Sequence, residues 1–528
     1  MQRVQPGRIY LAFALIEHSA CIVNPAGPTP SELRRQGRAA LALALRALAV
    51  FLVMAQICIA LWFRQKFGKV ELDQILFHLQ QGSSNVLYAD QLLVWSGIKN
   101  CLLGPLLYTG VLMALAARTG ATRRRLGGLL LGAPVLALAV AGSAAFAVSL
   151  TVTFPPSGIG GQDWIALLYR APPALQAPRR KRNLVLIYGE SLEFSYEAKP
   201  FGGGLLDPLE HGELAQARSF AHFRQLAGTG WTIAGMVASQ CGLPLKPLGI
   251  FGGNRFGDDA TQFLPNARCL GDVLHASGYR NVFLGGASTS FAGKGMFLRS
   301  HGYQEVVGRE EWLRRNPGLA LNEWGIYDDD LFAQALRKLG ELARAGGPFN
   351  LTILTVGMHP PDGFLAPSCP VRFGDLRDSV ACTAHLIDSF LAAARKGGYL
   401  RDTDVVVLGD HLSQQNSQTG RLEQSGERSV FNKLLTASPL PANRSDIDHF
   451  DLAPTILSAL GYRLPGGRFG LGCSALGPVS CRTLADDPLA DAKLDHSSVF
   501  YNALWLPAGP AAAPTSLAFS SHAAPPSR

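Results

Sequence analysis

Hydrophobic positions follow two different patterns along this chain of 528 residues. Up to about residue 155 they form long unbroken runs; from residue 183 they form short β-branched runs separated by amphipathic stretches. Leu41 to Phe63, Cys101 to Ala117 and Leu126 to Phe154 are long enough, or nearly so, to cross a hydrocarbon core, which takes about 20 helical residues. The pattern therefore predicts three membrane spans near 41–63, 98–117 and 126–154, within a transmembrane domain over 39–154, in preference to three buried helices of a soluble protein. Arg46 near the start of the first span and Lys99 at the head of the second are placed where a long side chain can reach the interface. Ile9 to Ile16 is too short to span, and its flanks do not match a cleaved signal peptide.

In the second half, Asn183–Tyr188, Asn281–Leu284, Asn350–Val356 and Thr403–Leu408 alternate with helical stretches such as Ala381–Arg395 and Phe450–Leu460. Strands buried on both faces of a parallel sheet read as near-continuous apolar runs of this kind. The expected fold is N-terminal transmembrane helices followed by an α/β domain over 183–485. Residues 155–182, rich in Gly, Pro and Arg, read as a linker. A C-terminal extension over 486–528 turns Ala-, Pro- and Ser-rich from residue 507, a composition that cannot build a core and is expected to be disordered.

Charge fixes the orientation. The net charge is +9, but residues through Arg182 carry 19 Lys and Arg against 6 Asp and Glu, and the remainder carries 29 against 33. A slightly acidic folded domain argues against a nucleic-acid partner. Arg34, Arg35 and Arg38 precede the first span, and Arg118 with Arg123, Arg124 and Arg125 fills the loop between the second and third, so both segments are cytoplasmic by the positive-inside rule. That makes 1–38 a cytoplasmic segment and puts everything after Phe154 outside. The cysteines agree: Cys241, Cys269, Cys369, Cys382, Cys473 and Cys481 follow the last span, an even count that suggests disulfides, with 241/269, 369/382 and 473/481 the simplest of 15 connectivities. No tight CxxC knuckle favours a zinc–cysteine site instead.

Ligands of an open α/β sheet gather at the carboxyl ends of its strands. There the first strand runs into Gly189-Glu190-Ser191, the third into Gly357-Met358-His359 and the fourth into Gly409-Asp410-His411. Glu190, Asp410 and His411 suit a divalent cation, Mg²⁺, Mn²⁺ or Zn²⁺. Each alone has an ordinary alternative, a helix cap or a solvated turn; together at equivalent strand ends they form a candidate site. The turn Gly228-Thr229-Gly230-Trp231-Thr232 offers two hydroxyls at the start of a helix, either a nucleophile activated by coordination or a simple N-cap.

Several strings resemble one family: Asn183 to Glu193, Gly228 to Pro244, Phe291 to Tyr303, Glu323 to Asp329, His359 to Phe364 and Gly409 to His411 are similar to the phosphoglycerol transferases of osmoregulated periplasmic glucan synthesis, which belong with lipoteichoic acid synthase in the sulfatase-like, alkaline-phosphatase superfamily. The resemblance implies that Glu190, Thr232, Asp410 and His411 hold one Mn²⁺ or Mg²⁺, Zn²⁺ being less favoured, with Thr232 as nucleophile and Thr229 a bystander. It also implies substrate contacts at His359 and at Lys294, the latter where lipoteichoic acid synthase has Arg; Ala292 stands where that family has Trp. Cys241-Gly-Leu-Pro-Leu-Lys has its Pro at the wrong offset and lacks the Arg of the Cys-x-Pro-x-Arg motif of true arylsulfatases. The implied protein sits in a bacterial inner membrane, multi-pass, with its catalytic domain in the periplasm, and moves glycerophosphate from phosphatidylglycerol to a periplasmic glucan. Its rivals are a phosphoethanolamine transferase acting on an envelope glycan and a non-catalytic envelope sensor.

Overall fold

The computed structural model describes residues 29–67, 91–117, 162–171, 174–246, 262–479, 481 and 483–506. The chain divides into two compact units, residues 1–54 with 105–143, and residues 55–104 with 144–528. Near the N-terminus lie the helices α1 (Pro30–Phe67), α2 (Gln91–Ile98) and α3 (Gly104–Ala117). Leu41, Leu45, Leu48 and Leu52 of α1 are exposed, as are Leu106, Leu107 and Val111 of α3. Among the described residues no helix presents an apolar stretch long enough to cross a membrane. The expected span 126–154 lies outside the described residues, as do Arg123 to Arg125, Cys21 and the tail from 507.

The large unit is built on a six-stranded sheet. Its strands are β1 (Asn183–Gly189), β3 (Arg280–Gly285), β4 (Glu305–Val307), β5 (Phe349–Leu354), β6 (Thr403–Gly409) and β7 (Asn432–Leu435), in the order β4-β3-β5-β1-β6-β7. All neighbours are parallel except β7, which runs antiparallel to β6 at the edge. A separate pair, β2 (His222–Arg224) and β8 (Asp446–Asp448), lies outside this sheet.

Both faces of the sheet are covered, which is why its central strands are predominantly apolar. Leu184, Leu186 and Tyr188 of β1 share one core with Ile233, Met236 and Val237 of α5 (Thr232–Cys241) and with Leu452, Ile456 and Leu457 of α10 (Leu452–Ala459). Between them in sequence come α6 (Leu270–Ala276), α7 (Lys294–Ser300), α8 (Asp328–Ala345) and α9 (Leu376–Lys396). Val185 and Ile187 point to the opposite face and pack with Leu331, Ala335 and Leu339 of α8 and Val380, Ile387 and Leu391 of α9.

Four strands fall where the apolar runs predict them, with one informative difference. The run Asn350–Val356 leaves the sheet at Leu354, because the Val356 amide donates to Asp328 Oδ1 at 2.9 Å instead of continuing the ladder. Part of the segment read as a linker is ordered. Asp163 caps α4 (Trp164–Leu168), accepting from the Ala166 amide at 2.9 Å, and Arg170 pairs with Gly470. The same carboxylate accepts from Ser498 Oγ at 2.7 Å and the Phe500 amide at 3.1 Å, so it also ties down the short helix α12 (Val499–Ala503), which follows α11 (Ala490–Asp495) in the C-terminal extension. Cysteines 241/269, 369/382 and 473/481 form disulfides, and Cys58 and Cys101 are unbridged among the described residues.

Candidate active site

β5, β1 and β6 are adjacent, with Gly189 in register with Gly409, so residues just beyond their carboxyl ends converge. Glu190, Asp410 and His411 are buried there, and each offers a ligand atom within 4.8 Å of the others. Asp410 Oδ1 accepts from the amides of Ser191 at 2.8 Å and His411 at 2.9 Å, whereas Oδ2 is buried with no hydrogen-bond partner among the described residues. His411 Nδ1 donates to the Leu412 carbonyl at 2.8 Å, which directs Nε2 to within 3.4 Å of both Glu190 Oε1 and Asp410 Oδ2. An imidazole anchored through one nitrogen on a carbonyl, facing two buried carboxylates one of whose oxygens is orphaned, is a donor set that fits a divalent cation.

The charges of the three groups are interlocked. Although burial opposes it, the hydrogen bond and charge of His411 hold Glu190 well below the usual carboxylate range. Burial and then the neighbouring Glu190 push Asp410 upward. Against the cost of burial, the carboxylates of Asp410 and Glu190 raise His411 to about 9.

Thr232 is the first residue of α5, and its Oγ1 donates to Glu190 Oε2 at 3.2 Å. Thr229, three residues earlier, is fully buried, and its hydroxyl is consumed by the Leu226 carbonyl at 2.7 Å. The sequence leaves two candidate hydroxyls in this turn; only that of Thr232 faces the carboxylates. The helix can come this close because residue 235 is glycine. A Cβ there would stand 1.9 Å from the Asp410 carbonyl oxygen, which also accepts from His449 Nε2 at 2.9 Å. Gly235→Ala should therefore destabilise the protein by about 1–3 kcal/mol through overpacking and weaken cation binding; an unchanged melting temperature would refute this packing argument.

Glu190, Thr232 and His411 line a cavity of about 50 Å³ with Lys294, His359, Trp231, Phe291 and Trp324. Lys294 is buried and has no hydrogen-bond or ion-pair partner among the described residues. Burial draws it down to about 8 in spite of Glu190 and Asp410. His359 Nδ1 donates to the Pro360 carbonyl at 2.9 Å, leaving Nε2 as the acceptor of the neutral ring, and burial lowers its pKa. All six residues singled out from sequence, Glu190, Thr232, Lys294, His359, Asp410 and His411, thus lie together at one cavity or its floor. The sequence alone assigns no role to Trp324 or Asp328. Trp324 stacks on His359 with ring centroids 4.0 Å apart, and Asp328 holds the turn before it. Their only sequence signal is that both fall inside the string Glu323 to Asp329.

Comparison with known proteins gives the family of the chain. The family model named Sulfatase matches residues 182–462. A phosphoglycerol transferase I from Escherichia coli O81 (strain ED1a) is 36% identical over 394 residues, covering 70% of this chain and 49% of that protein. One from Escherichia fergusonii is 37% identical over 326 residues, covering 58% and 41%. The chain thus spans about half the length of the curated relatives it matches. The crystal structure of the lipoteichoic acid synthase LtaP from Listeria monocytogenes is 16% identical, covers 56% of this chain and 76% of that one, and has a TM-score of 0.45.

Proposed function

This chain belongs to the Sulfatase family, and from that premise we propose that it is a membrane-anchored phosphoglycerol transferase, moving glycerophosphate from phosphatidylglycerol to a periplasmic glucan through Thr232. The observation that carries the reading is the Thr232 hydroxyl on Glu190 Oε2, at the mouth of the Glu190, Asp410, His411 cluster. The 36% identity to proteins named phosphoglycerol transferase I supports the choice of donor.

A divalent cation held by Glu190, Asp410, His411 and Thr232, Mn²⁺ or Mg²⁺ from the oxygen-rich donor set, would supply Lewis-acid stabilisation of the phosphoryl oxygens. Thr232 Oγ1 forms a bond to phosphorus as the bond to diacylglycerol breaks, and the proton it gives up, already directed at Glu190 Oε2, is balanced by one taken up by the departing diacylglycerol oxygen. In the second displacement a glucan hydroxyl attacks phosphorus as the bond to Thr232 Oγ1 breaks, and the proton that the hydroxyl loses is balanced by the one that returns to Thr232. His359, neutral because burial lowers its pKa and with Nε2 as the free acceptor, is suited to move the proton at the substrate oxygen. Lys294, the unpaired ammonium of the cavity, balances the anionic phosphodiester.

Anchoring follows from the apolar segments near 41–63, 98–117 and 126–154. Leu41, Leu45, Leu48 and Leu52 recur at helical spacing and stand exposed on α1, a face suited to lipid rather than water. With the basic loops inside, the catalytic unit lies on the periplasmic side of an inner membrane, beside the leaflet that holds its donor.

The test is intact mass after incubating the full chain in detergent with Mn²⁺ and either phosphatidylglycerol or phosphatidylethanolamine. A glycerophosphate increment from the first lipid alone is expected. A phosphoethanolamine increment from the second alone would replace the donor, and no increment from either would overturn the covalent route.

A further inference from the structure

The string Glu323 to Asp329 carries no chemistry of its own in the proposed reaction, yet it is pinned by several hydrogen bonds and a close backbone approach. Asn322 Oδ1 accepts from the amides of Trp324 and Gly325 at 2.8 and 2.9 Å, and a Cβ on Gly325 would stand 1.9 Å from the Gly286 carbonyl oxygen. At the end of this string Asp328 opens α8, but its side chain does not cap that helix. It is 1% exposed and reaches across to the end of β5, where Oδ1 and Oδ2 accept from the amides of Val356 and Gly357, both at 2.9 Å.

Those two amides begin the turn that ends at His359, whose own amide donates to the Val356 carbonyl at 3.0 Å. The fit leaves no slack: a Cβ on Gly357 would lie 2.5 Å from Asp328 Oδ2. Four residues before Asp328 in sequence, Trp324 lays its ring on the imidazole, and Phe291 packs edge-on against that indole at 5.2 Å. The far side of the loop is held by related means. Asp329 Oδ2 accepts from the Ser368 amide at 3.1 Å, the 369/382 disulfide fixes the next residue to α9, and Asp378 accepts from the amides of Arg372, Phe373 and Gly374.

We propose that Asp328 is a positioning residue for His359: its carboxylate grips the Val356–Gly357 turn, so that the imidazole is held on Trp324 and against the cavity opposite Thr232. This rests on the reading that His359 acts at the substrate oxygen. A buried carboxylate that spends both oxygens on two consecutive backbone amides fixes the turn in translation and rotation together, and side-chain placement is what such a fixed turn delivers. Misplacing a catalytic group by about 1 Å can cost on the order of 10²-fold in rate.

The experiment uses the full chain in detergent with Mn²⁺, following diacylglycerol release from phosphatidylglycerol, with Asp328→Asn, His359→Ala and the double variant. Asparagine keeps the shape but turns an amide NH₂ toward one of the two backbone donors. Asp328→Asn should lower kcat by about 10- to 100-fold with KM little changed, and should add no further loss in the His359→Ala background, the non-additivity expected of residues that act through one another. Hydrogen exchange should rise in the peptide 355–364 and not in 183–190. Gly357→Ala, which displaces the same carboxylate without touching its charge, should reproduce both effects. A loss that multiplies in the double variant, or unchanged exchange at 355–364, overturns the assignment of Asp328 alone. Full turnover in His359→Ala overturns the assigned role of His359 and the positioning argument with it, while a raised exchange would still locate the grip.

Discussion

Thr232→Ala should abolish the covalent adduct and reduce turnover by at least about 10³-fold, the scale on which removal of a nucleophile acts. The expectation is specific because so little else changes. Thr232 is the first residue of α5, and alanine has the higher helix propensity, so the helix is not weakened. The hydroxyl makes one side-chain hydrogen bond, to Glu190 Oε2, and that carboxylate still faces His411. Melting temperature should therefore stay within a few degrees of the parent while the chemistry is lost. Thr232→Ser, which keeps the hydroxyl, should retain measurable adduct. Thr229→Ala provides the contrast: its hydroxyl closes a buried local turn, so it should lower stability by about 1 kcal/mol and leave the adduct mass intact. Persistent adduct in Thr232→Ala, with the mass now on Thr229 or Ser191, would move the nucleophile.

The sheet was legible where the physics is one-dimensional. β1, β3, β5 and β6 are buried on both faces, so each is a largely apolar run without the polar stripe of an amphipathic helix. The edge strands β4 and β7 are short and half-polar, with Glu305 and Lys433 within them, and gave no such signal. Glu190, Asp410 and His411 could be grouped before any coordinates because adjacent parallel strands deliver their carboxyl ends to one place. Choosing Thr232 over Thr229 needed resemblance, since local sequence makes both plausible caps; the distinction lies in the close approach of Gly235 to the Asp410 carbonyl, a contact between segments 175 residues apart. Asp328 was illegible for the same reason. An acidic residue at a helix start reads as a favourable interaction with the helix dipole, and only the fold shows that it serves another segment.

Cation affinity should rise with pH between about 6.5 and 9, while the stability of the metal-free protein falls across that window and that of the cation-bound protein stays nearly level. In the protein alone, Asp410 and Glu190 raise His411 to about 9, above the unfolded value near 6.5. A raised histidine pKa contributes stability that is fully present below about 6.5 and is lost as pH climbs through about 9. Asp410, pushed up by burial and by Glu190, acts in the same sense, since ionising it in place costs more than ionising it in the unfolded chain. In EDTA the melting temperature should therefore fall as pH rises. Binding a cation requires the free Nε2 lone pair of His411, so near pH 8 one proton must leave, and the apparent affinity should gain about tenfold per pH unit until it levels off near 9. Added Mn²⁺ stabilises in proportion to the logarithm of its concentration over its dissociation constant, so the increment it adds to the melting temperature should grow as the metal-free value declines. Asp410→Asn keeps one acceptor oxygen but removes the charge of the orphaned Oδ2; it should weaken Mn²⁺ binding by about 10²-fold or more and, with one fewer carboxylate facing His411, flatten the decline in EDTA. Calorimetric titration at pH 6.5, 7.5 and 8.5 in buffers of different ionisation enthalpy reads the released proton directly. An affinity independent of pH, or no proton released at pH 7.5, would mean that His411 is not displaced from its charged form by the cation and that the ligand set is wrong.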